Sequence, residues 1–336
     1  MPESKFYHFP ATGPFYGVRT IEEAVAATDE GGYVWFNFYQ PSRELLGSLV
    51  NKIGIHPLSV EDCFDEEQVP KIEYFPDNTF IIFNAFSYAN NKLYTDEVDF
   101  FIGKDFLITV SGYHAEGRKP LNNIEEIIEK GNKNCKGGPD FLMHVVLDWL
   151  VDEKYKAFDD MEVELEGAEE SMLDNVEKFQ PMQLIHMRKN LMMLRKTLYH
   201  EREILVKICR LDCPFISEKA IVHYRDIYDH LAKFFEVTET YREIETSLME
   251  LYSSLLNNLM TKRSNETNAS VRRLTLIATI FMPLTLLASI GGMSEWTMMT
   301  GGSDNWRISY PLFLLGMVII GVVNYFFIRS IEKKGS

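Results

Sequence analysis

From Leu274 to Met293 the chain reads LTLIATIFMPLTLLASIGGM, and from Ile308 to Ile328 it reads ISYPLFLLGMVIIGVVNYFFI, both without a charged side chain. About twenty apolar residues is the length at which a helix crosses the hydrocarbon of a bilayer. The pattern therefore predicts two transmembrane helices, 273–293 and 308–328, an outer loop, 294–307, and a basic tail, 329–336. Ahead of them the periodicity changes twice. Short aromatic and β-branched runs (Tyr33–Phe38, Phe80–Ser87, Asp96–Gly103, Phe106–Val110) alternate with amphipathic ones (Ile21–Thr28, Ser42–Lys52, Pro57–Phe64, Leu121–Lys130). These predict strands and helices of an α/β domain, 1–138, with one sheet covered by helices. Thirteen of the twenty glycines lie at or before Gly167 and none falls between 168 and 290, so 139–272 reads as helical throughout. Its helices are Asp140–Val176, then Pro181–Leu211 with the proline in its first turn, then a run that begins after Pro214. Ser217 is the predicted N-cap of that last run, which meets no glycine or proline before Pro283 and stays helical to Gly291. A helix of about seventy residues is on the order of 100 Å long, too long to be buried in one subunit, and predicts packing against copies of itself.

Within the first span, alternating steps of three and four select Asn268, Val271, Thr275, Ala278, Met282, Thr285, Ser289 and Gly292, the spacing of a seam in a left-handed bundle. The selected residues are small, polar or flexible, whereas Leu276, Ile277, Ile280, Phe281, Leu284, Leu286 and Leu287 fall off the seam. Small residues also serve close helix packing in membranes. The repeated oxygens of Asn268, Thr275, Thr285 and Ser289, however, would each form a ring in a symmetric oligomer, which favours a pore. Neither span contains Asp, Glu, Lys, Arg or His, and this favours a channel over a proton-coupled carrier. Met282, with Leu274 beside the seam, predicts an apolar constriction that closes by dewetting, and Pro283 frees a carbonyl one turn earlier.

Charge sharpens the division. The chain of 336 residues carries 49 acidic and 34 basic side chains, a net of -15, which excludes a general nucleic-acid binder. Residues 271–336 hold six of the basic and three of the acidic groups, so a net of -18 sits in 1–270. Such a field gives solubility or gathers cations, and the charge alone does not choose. Arg272 and Arg273 precede the first span and Arg329, Lys333 and Lys334 follow the second, while the loop has no base before Arg307. That asymmetry predicts a multi-pass protein of a prokaryotic inner or plasma membrane with both termini cytoplasmic. The opening MPESKFYHFP has no apolar run and predicts no cleavable signal peptide. On this topology the sequons at Asn265 and Asn268 arise by chance. Four scattered cysteines predict a reducing compartment, not a disulfide framework. No phosphate-cradling glycine loop with a lysine and no Gly-x-Ser-x-Gly elbow occurs, so no enzyme is predicted.

The run SNETNASVRRLTLIATIFMPLTLLASIGGMS resembles the first transmembrane helix of the CorA family of divalent-cation channels. HPLSVEDCFDEEQVPKIEYF (His56–Phe75) resembles that family's N-terminal motif, and YRDIYDH (Tyr224–His230) a segment of its stalk helix. The resemblance implies a homopentameric funnel: an α/β cytoplasmic domain, a long stalk helix and two C-terminal transmembrane helices, the first lining a central pore. It further implies conduction of hydrated Mg²⁺, with Co²⁺ and Ni²⁺ as further candidates, gating by cytosolic divalent ions, and lipid and its own copies as partners. In the family the pore helix ends in Gly-Met-Asn, whose amide ring holds the hydrated ion through its water shell. Here the residues are Gly292, Met293 and Ser294. Serine keeps an acceptor oxygen but is shorter, so five of them make a wider and weaker ring, a change that bears on which ion passes.

Acidic pairs between neighbouring cytoplasmic domains hold channels of this family shut when divalent ions are plentiful, and the matching positions are Asp62 and Asp226. Two carboxylates brought together repel unless a hard dication lies between them. His223, Asp226 and His230 share a helix face at i, i+3 and i+7, a donor set suited to Zn²⁺, Co²⁺ or Ni²⁺ rather than Mg²⁺. A solvated, charge-rich face accounts for the same pattern. Cys209 and Cys213, with Pro214 following and no second pair, predict no structural zinc site. Two other readings stay open. One is a proton-coupled Zn²⁺ transporter of the same fold, against which the uncharged spans count. The other is a non-conducting, membrane-anchored cation sensor, against which the intact seam counts.

Overall fold

The computed structural model describes residues 3–65, 68–113, 119–121, 124–131, 135–294, 298 and 301–334. Parts of three predicted segments lie outside the described residues: 122–123 of the helix Leu121–Lys130, 295–297 and 299–300 of the outer loop, and 335–336 of the tail. So do Glu66 and Glu67 of the His56–Phe75 motif. The chain forms two compact units, Met1–Tyr252 and Ser253–Ser336, and the division falls inside one long helix.

In the first unit seven strands form one mixed sheet: β1 (Glu3–Phe9), β2 (Tyr16–Val18), β3 (Tyr33–Tyr39), β4 (Ile72–Tyr74), β5 (Thr79–Ala89), β6 (Lys92–Ile102) and β7 (Phe106–Ser111), in the order β2-β1-β3-β7-β6-β5-β4. β3 and β7 run parallel, with Val34 opposite Phe106 and Tyr39 opposite Ser111, and the other neighbours are antiparallel. Both central strands are buried along their whole length, as their near-continuous runs YVWFNFY and FLITVS require.

Three helices cover one face: α1 (Ile21–Thr28), α2 (Arg43–Ile53) and α3 (Pro57–Asp62). Ala24, Ala27, Leu46, Leu49 and Val60 join Val34, Phe36, Phe38, Phe80, Ile82 and Phe101 in a single core. Phe6 meets Phe36 and Phe38 edge-on at 5.7 and 5.6 Å, the arrangement that ring quadrupoles favour. Thr20 and Ser42 cap α1 and α2 by accepting the N–H of Glu23 and Leu45, each at 3.2 Å.

A short helix, α4 (Ile124–Lys130), precedes the long helices α5 (Pro139–Asp174) and α6 (Met182–Cys209). α5 and α6 pack on strands β5 and β6. Their contact holds a fully buried ion pair, Lys154 to Glu201, and Glu201 also accepts the backbone N–H of Asn84 on β5 at 3.0 Å.

α7 (Ile221–Gly291) is one helix of 71 residues with Pro283 inside it, as the absence of glycine and proline predicts. Its buried residues in the first unit, Ile221, Tyr224, Ile227, Leu231, Phe234, Thr238, Tyr241, Glu245 and Leu248, recur at helical spacing. Phe234 stacks on Phe158 of α5 at 4.7 Å. Ser217 does not cap this helix. Its N–H and its hydroxyl both donate to Asp140 at the start of α5, at 3.0 and 2.6 Å, and α7 begins four residues later.

The second unit contains the remainder of α7 and α8 (Gly302–Lys334). Both helices are long and apolar enough to cross a membrane, and neither buries its apolar stretch within the chain. Gly291 marks the close approach between them: a Cβ there would stand 2.6 Å from the Phe313 ring.

Candidate ion path and divalent sites

At about 100° per residue, Leu276, Ile280, Pro283, Leu284, Leu287 and Gly291 share one stripe of α7. These are the half-buried residues of α7 between 260 and 291, and the stripe faces α8: Leu284 approaches Gly321, and Gly291 approaches Phe313. Roughly half a turn away lies the predicted seam. Asn268, Val271, Leu274, Thr275, Ala278, Met282, Thr285, Ser289 and Gly292 are all exposed there, as are Met293 and Ser294 just beyond the helix end. Met282 is 71% exposed and Leu274 68%. The helix thus turns Leu284 and Gly291 to α8, while the seam and the bulky off-seam residues Ile277, Phe281 and Leu286 are all exposed.

The hydroxyls on that stripe have a fixed polarity. Thr275 donates to the carbonyl of Val271 at 2.9 Å, Thr285 to Phe281 at 2.9 Å and Ser289 to Thr285 at 2.8 Å. Each proton is committed to the helix, so each oxygen presents only lone pairs outward. A hydrated dication presents O–H donors at its surface, and such oxygens complement it. Pro283 supplies no N–H to the carbonyl of Thr279, so the usual helical bond is missing at that turn.

Asp62 lies at the end of α3 with partners that the sequence reading missed. Lys71 donates to its carboxylate at 2.8 Å and also reaches Glu73 at 3.0 Å, and Gln68 approaches at 3.4 Å. Glu97 and Asp99 lie near this group, on β6. Burial pushes both of their carboxyls well above the usual range; the neighbouring Asp99 adds to the rise of Glu97, whereas hydrogen bonds from Cys63 and Glu97 restrain that of Asp99. The i, i+2 spacing of two acids in a strand is the signal that could have found them, because it places both on one face. No local pattern announces Lys71.

Asp226 is exposed on α7 and stands 3.7 Å from His230. The predicted histidine face does not gather into one group. His230 shares a hydrogen bond of 2.8 Å with the Tyr155 hydroxyl, whereas His223 packs against Phe141 and against His144, a residue the sequence reading did not single out. Among the described residues, no three His, Cys, Asp or Glu side chains stand together as a metal cage.

The chain is matched over residues 30–330 by the family described as CorA-like Mg2+ transporter protein. It is 30% identical over 306 residues to the cobalt/magnesium transport protein CorA of Thermotoga maritima, covering 90% of this chain and 84% of that one. It is 26% identical over 299 residues to the protein of the same name from Methanocaldococcus jannaschii, covering 88% and 90%. The solved structure of the complete CorA magnesium transporter from Methanocaldococcus jannaschii superimposes with a TM-score of 0.71 over 97% of each chain, at 22% identity.

Proposed function

This chain belongs to the CorA-like Mg2+ transporter family, and on that premise we propose that it is a divalent-cation channel, a homopentamer whose path is lined by the exposed stripe of α7. Hydrated Mg²⁺ is the proposed cargo, with Co²⁺ as the second ion, matching the activities named for its relatives. Transport, not catalysis, is the activity. The observation that supports this most is the open stripe from Asn268 to Gly292, with its hydroxyl lone pairs outward and no ionisable group along it. An ion that keeps its water shell needs acceptors of this kind and no charged ligand. The uncharged spans count against a proton-coupled mechanism, since such carriers usually use ionisable groups at membrane depth. The cationic flanks support a topology with both termini on the cytoplasmic side.

Asp62 of one subunit and Asp226 of the next are proposed to share an inhibitory dication. Lys71, 2.8 Å from Asp62, would compete with that ion, so the site would fill only when the cation is abundant. Mg²⁺ uptake by liposomes holding the full chain should slow when the cytoplasmic face is bathed in Mg²⁺ at roughly millimolar concentration. Asp62→Asn combined with Asp226→Asn should remove that slowing. Absence of any uptake by the wild type overturns the transport reading. Uptake that slows equally in the double variant overturns the regulatory pair.

A further inference from the structure

His144 on α5 is 7% exposed, and its Nδ1 has no hydrogen-bond partner. Buried ring nitrogens are ordinarily satisfied, and one that is not calls for an explanation. Its aromatic neighbour Tyr224 gives none, because that hydroxyl is committed to the carbonyl of Asp140 at 2.7 Å. Facing His144 from α7 is His223, with ring centroids 4.9 Å apart and planes inclined at 52°. Asp226 lies one turn further along the same helix, close enough for its charge to act on His144. We propose that His144 and His223 hold a borderline transition dication (Zn²⁺, Co²⁺ or Ni²⁺) between their imidazoles, with water completing its coordination.

The ring spacing fits. Imidazole nitrogens bind such an ion at about 2.0–2.1 Å, and two rings on one tetrahedral ion hold their centroids about 5 Å apart. The planes are inclined at 52°, so the rings are not stacked face to face. Protonation fits as well. Burial first and the neighbouring His223 second hold His144 down at about 4, against an upward pull from Asp226. The ring is therefore neutral near pH 7 and offers a lone pair without first losing a proton. The donor set discriminates, since imidazole suits these ions and gives Mg²⁺ little. His230 has no part in the site, because its Nδ1 already shares a hydrogen bond with Tyr155. The sequence face of His223, Asp226 and His230 thus becomes a cross-helix pair with His144 in place of His230.

The test uses the full chain in detergent with any histidine tag removed and excess Mg²⁺ present, so that oxygen-lined sites are filled. Co²⁺ is titrated in, and its visible absorption reports nitrogen coordination. One Mg²⁺-resistant Co²⁺ per chain is expected, with the band retained in His230→Ala. In His144→Ala and in His223→Ala the affinity should fall by roughly tenfold or more, with loss of the band. His223 is only half-buried, so His223→Ala decides the matter by itself if His144→Ala does not fold. Absence of a Mg²⁺-resistant band in the wild type, or its survival in His223→Ala, overturns the site.

Discussion

Replacing Lys154 by Met should cost the full chain about 3–5 kcal/mol of stability, the effect of removing one partner from a buried ion pair. Lys154 and Glu201 are fully buried, and the lysine ammonium lies 4.2 Å from the centroid of Phe83 and 4.5 Å from that of Phe86. Burial lowers the lysine and raises the glutamate, and each restrains the shift of the other. Without the ammonium, Glu201 is a carboxylate in an apolar site whose one remaining bond is to the Asn84 N–H. Its folded pKa then rises further above the unfolded value. A group raised in this way favours the folded state below its unfolded pKa and loses that advantage as pH rises through the folded one. The deficit of Lys154→Met should therefore shrink as pH falls from about 8 to about 5. Glu201→Gln added to Lys154→Met should recover much of the loss, because the amide oxygen keeps the Asn84 bond without a charge. Unfolding of the three proteins, followed by far-UV circular dichroism at both pH values, reads the effect. A loss in Lys154→Met that is independent of pH would show that packing, not charge, holds this contact.

Ser294→Asn should lower the external Mg²⁺ concentration needed for half-maximal uptake by about tenfold. Ser294 is exposed just past the end of α7, where Gly292 and Met293 still donate to Ala288 and Ile290 at 3.0 and 3.2 Å. An amide here adds an oxygen on a longer arm, one per subunit, facing the water shell of an arriving ion. Each contact is worth on the order of 1 kcal/mol, and a cumulative gain of ~1.4 kcal/mol is tenfold in affinity. The variant should also become more sensitive to cobalt hexammine, a rigid mimic of the hydrated ion. Uptake curves with and without the inhibitor measure both effects. Equal values in the two proteins would move selectivity deeper, to the Thr285 or Asn268 positions.

Much of this was legible in the chain because it is periodic. The seam on α7 follows from spacing alone, and the stripe opposite it is the one that α8 covers. The amphipathic run Ile21–Thr28 matches α1 at both ends, and α7 runs where glycine and proline are missing. Strands β1, β2 and β4 were not foreseen. In β1 the run ESKFYHF mixes polar and aromatic residues without clean alternation, because its outer residues Glu3 and Ser4 are exposed while Phe6 to Phe9 are buried. β2 and β4 are three residues long, too short to show a period. Ser217 looked like a cap because a hydroxyl before a helical run normally is one. Its partner, Asp140, is 77 positions away, and only the packing of α5 beside the α6–α7 connection brings them together. The same holds for Lys71 beside Asp62 and for His144 beside His223: each element was readable, but the face it turns toward another was not.

The central claim is that ions pass along the exposed stripe of α7. Its most direct test is divalent flux through Met282→Ser in liposomes, compared with wild type at equal reconstitution. Met282, 71% exposed at mid-stripe, would form a ring of thioethers that disfavours a continuous water column, and a ring of hydroxyls lowers the cost of wetting. Basal Mg²⁺ flux in the variant should rise several-fold and should not respond to an imposed pH gradient. Flux that is unchanged or reduced in a correctly assembled Met282→Ser oligomer would contradict the account.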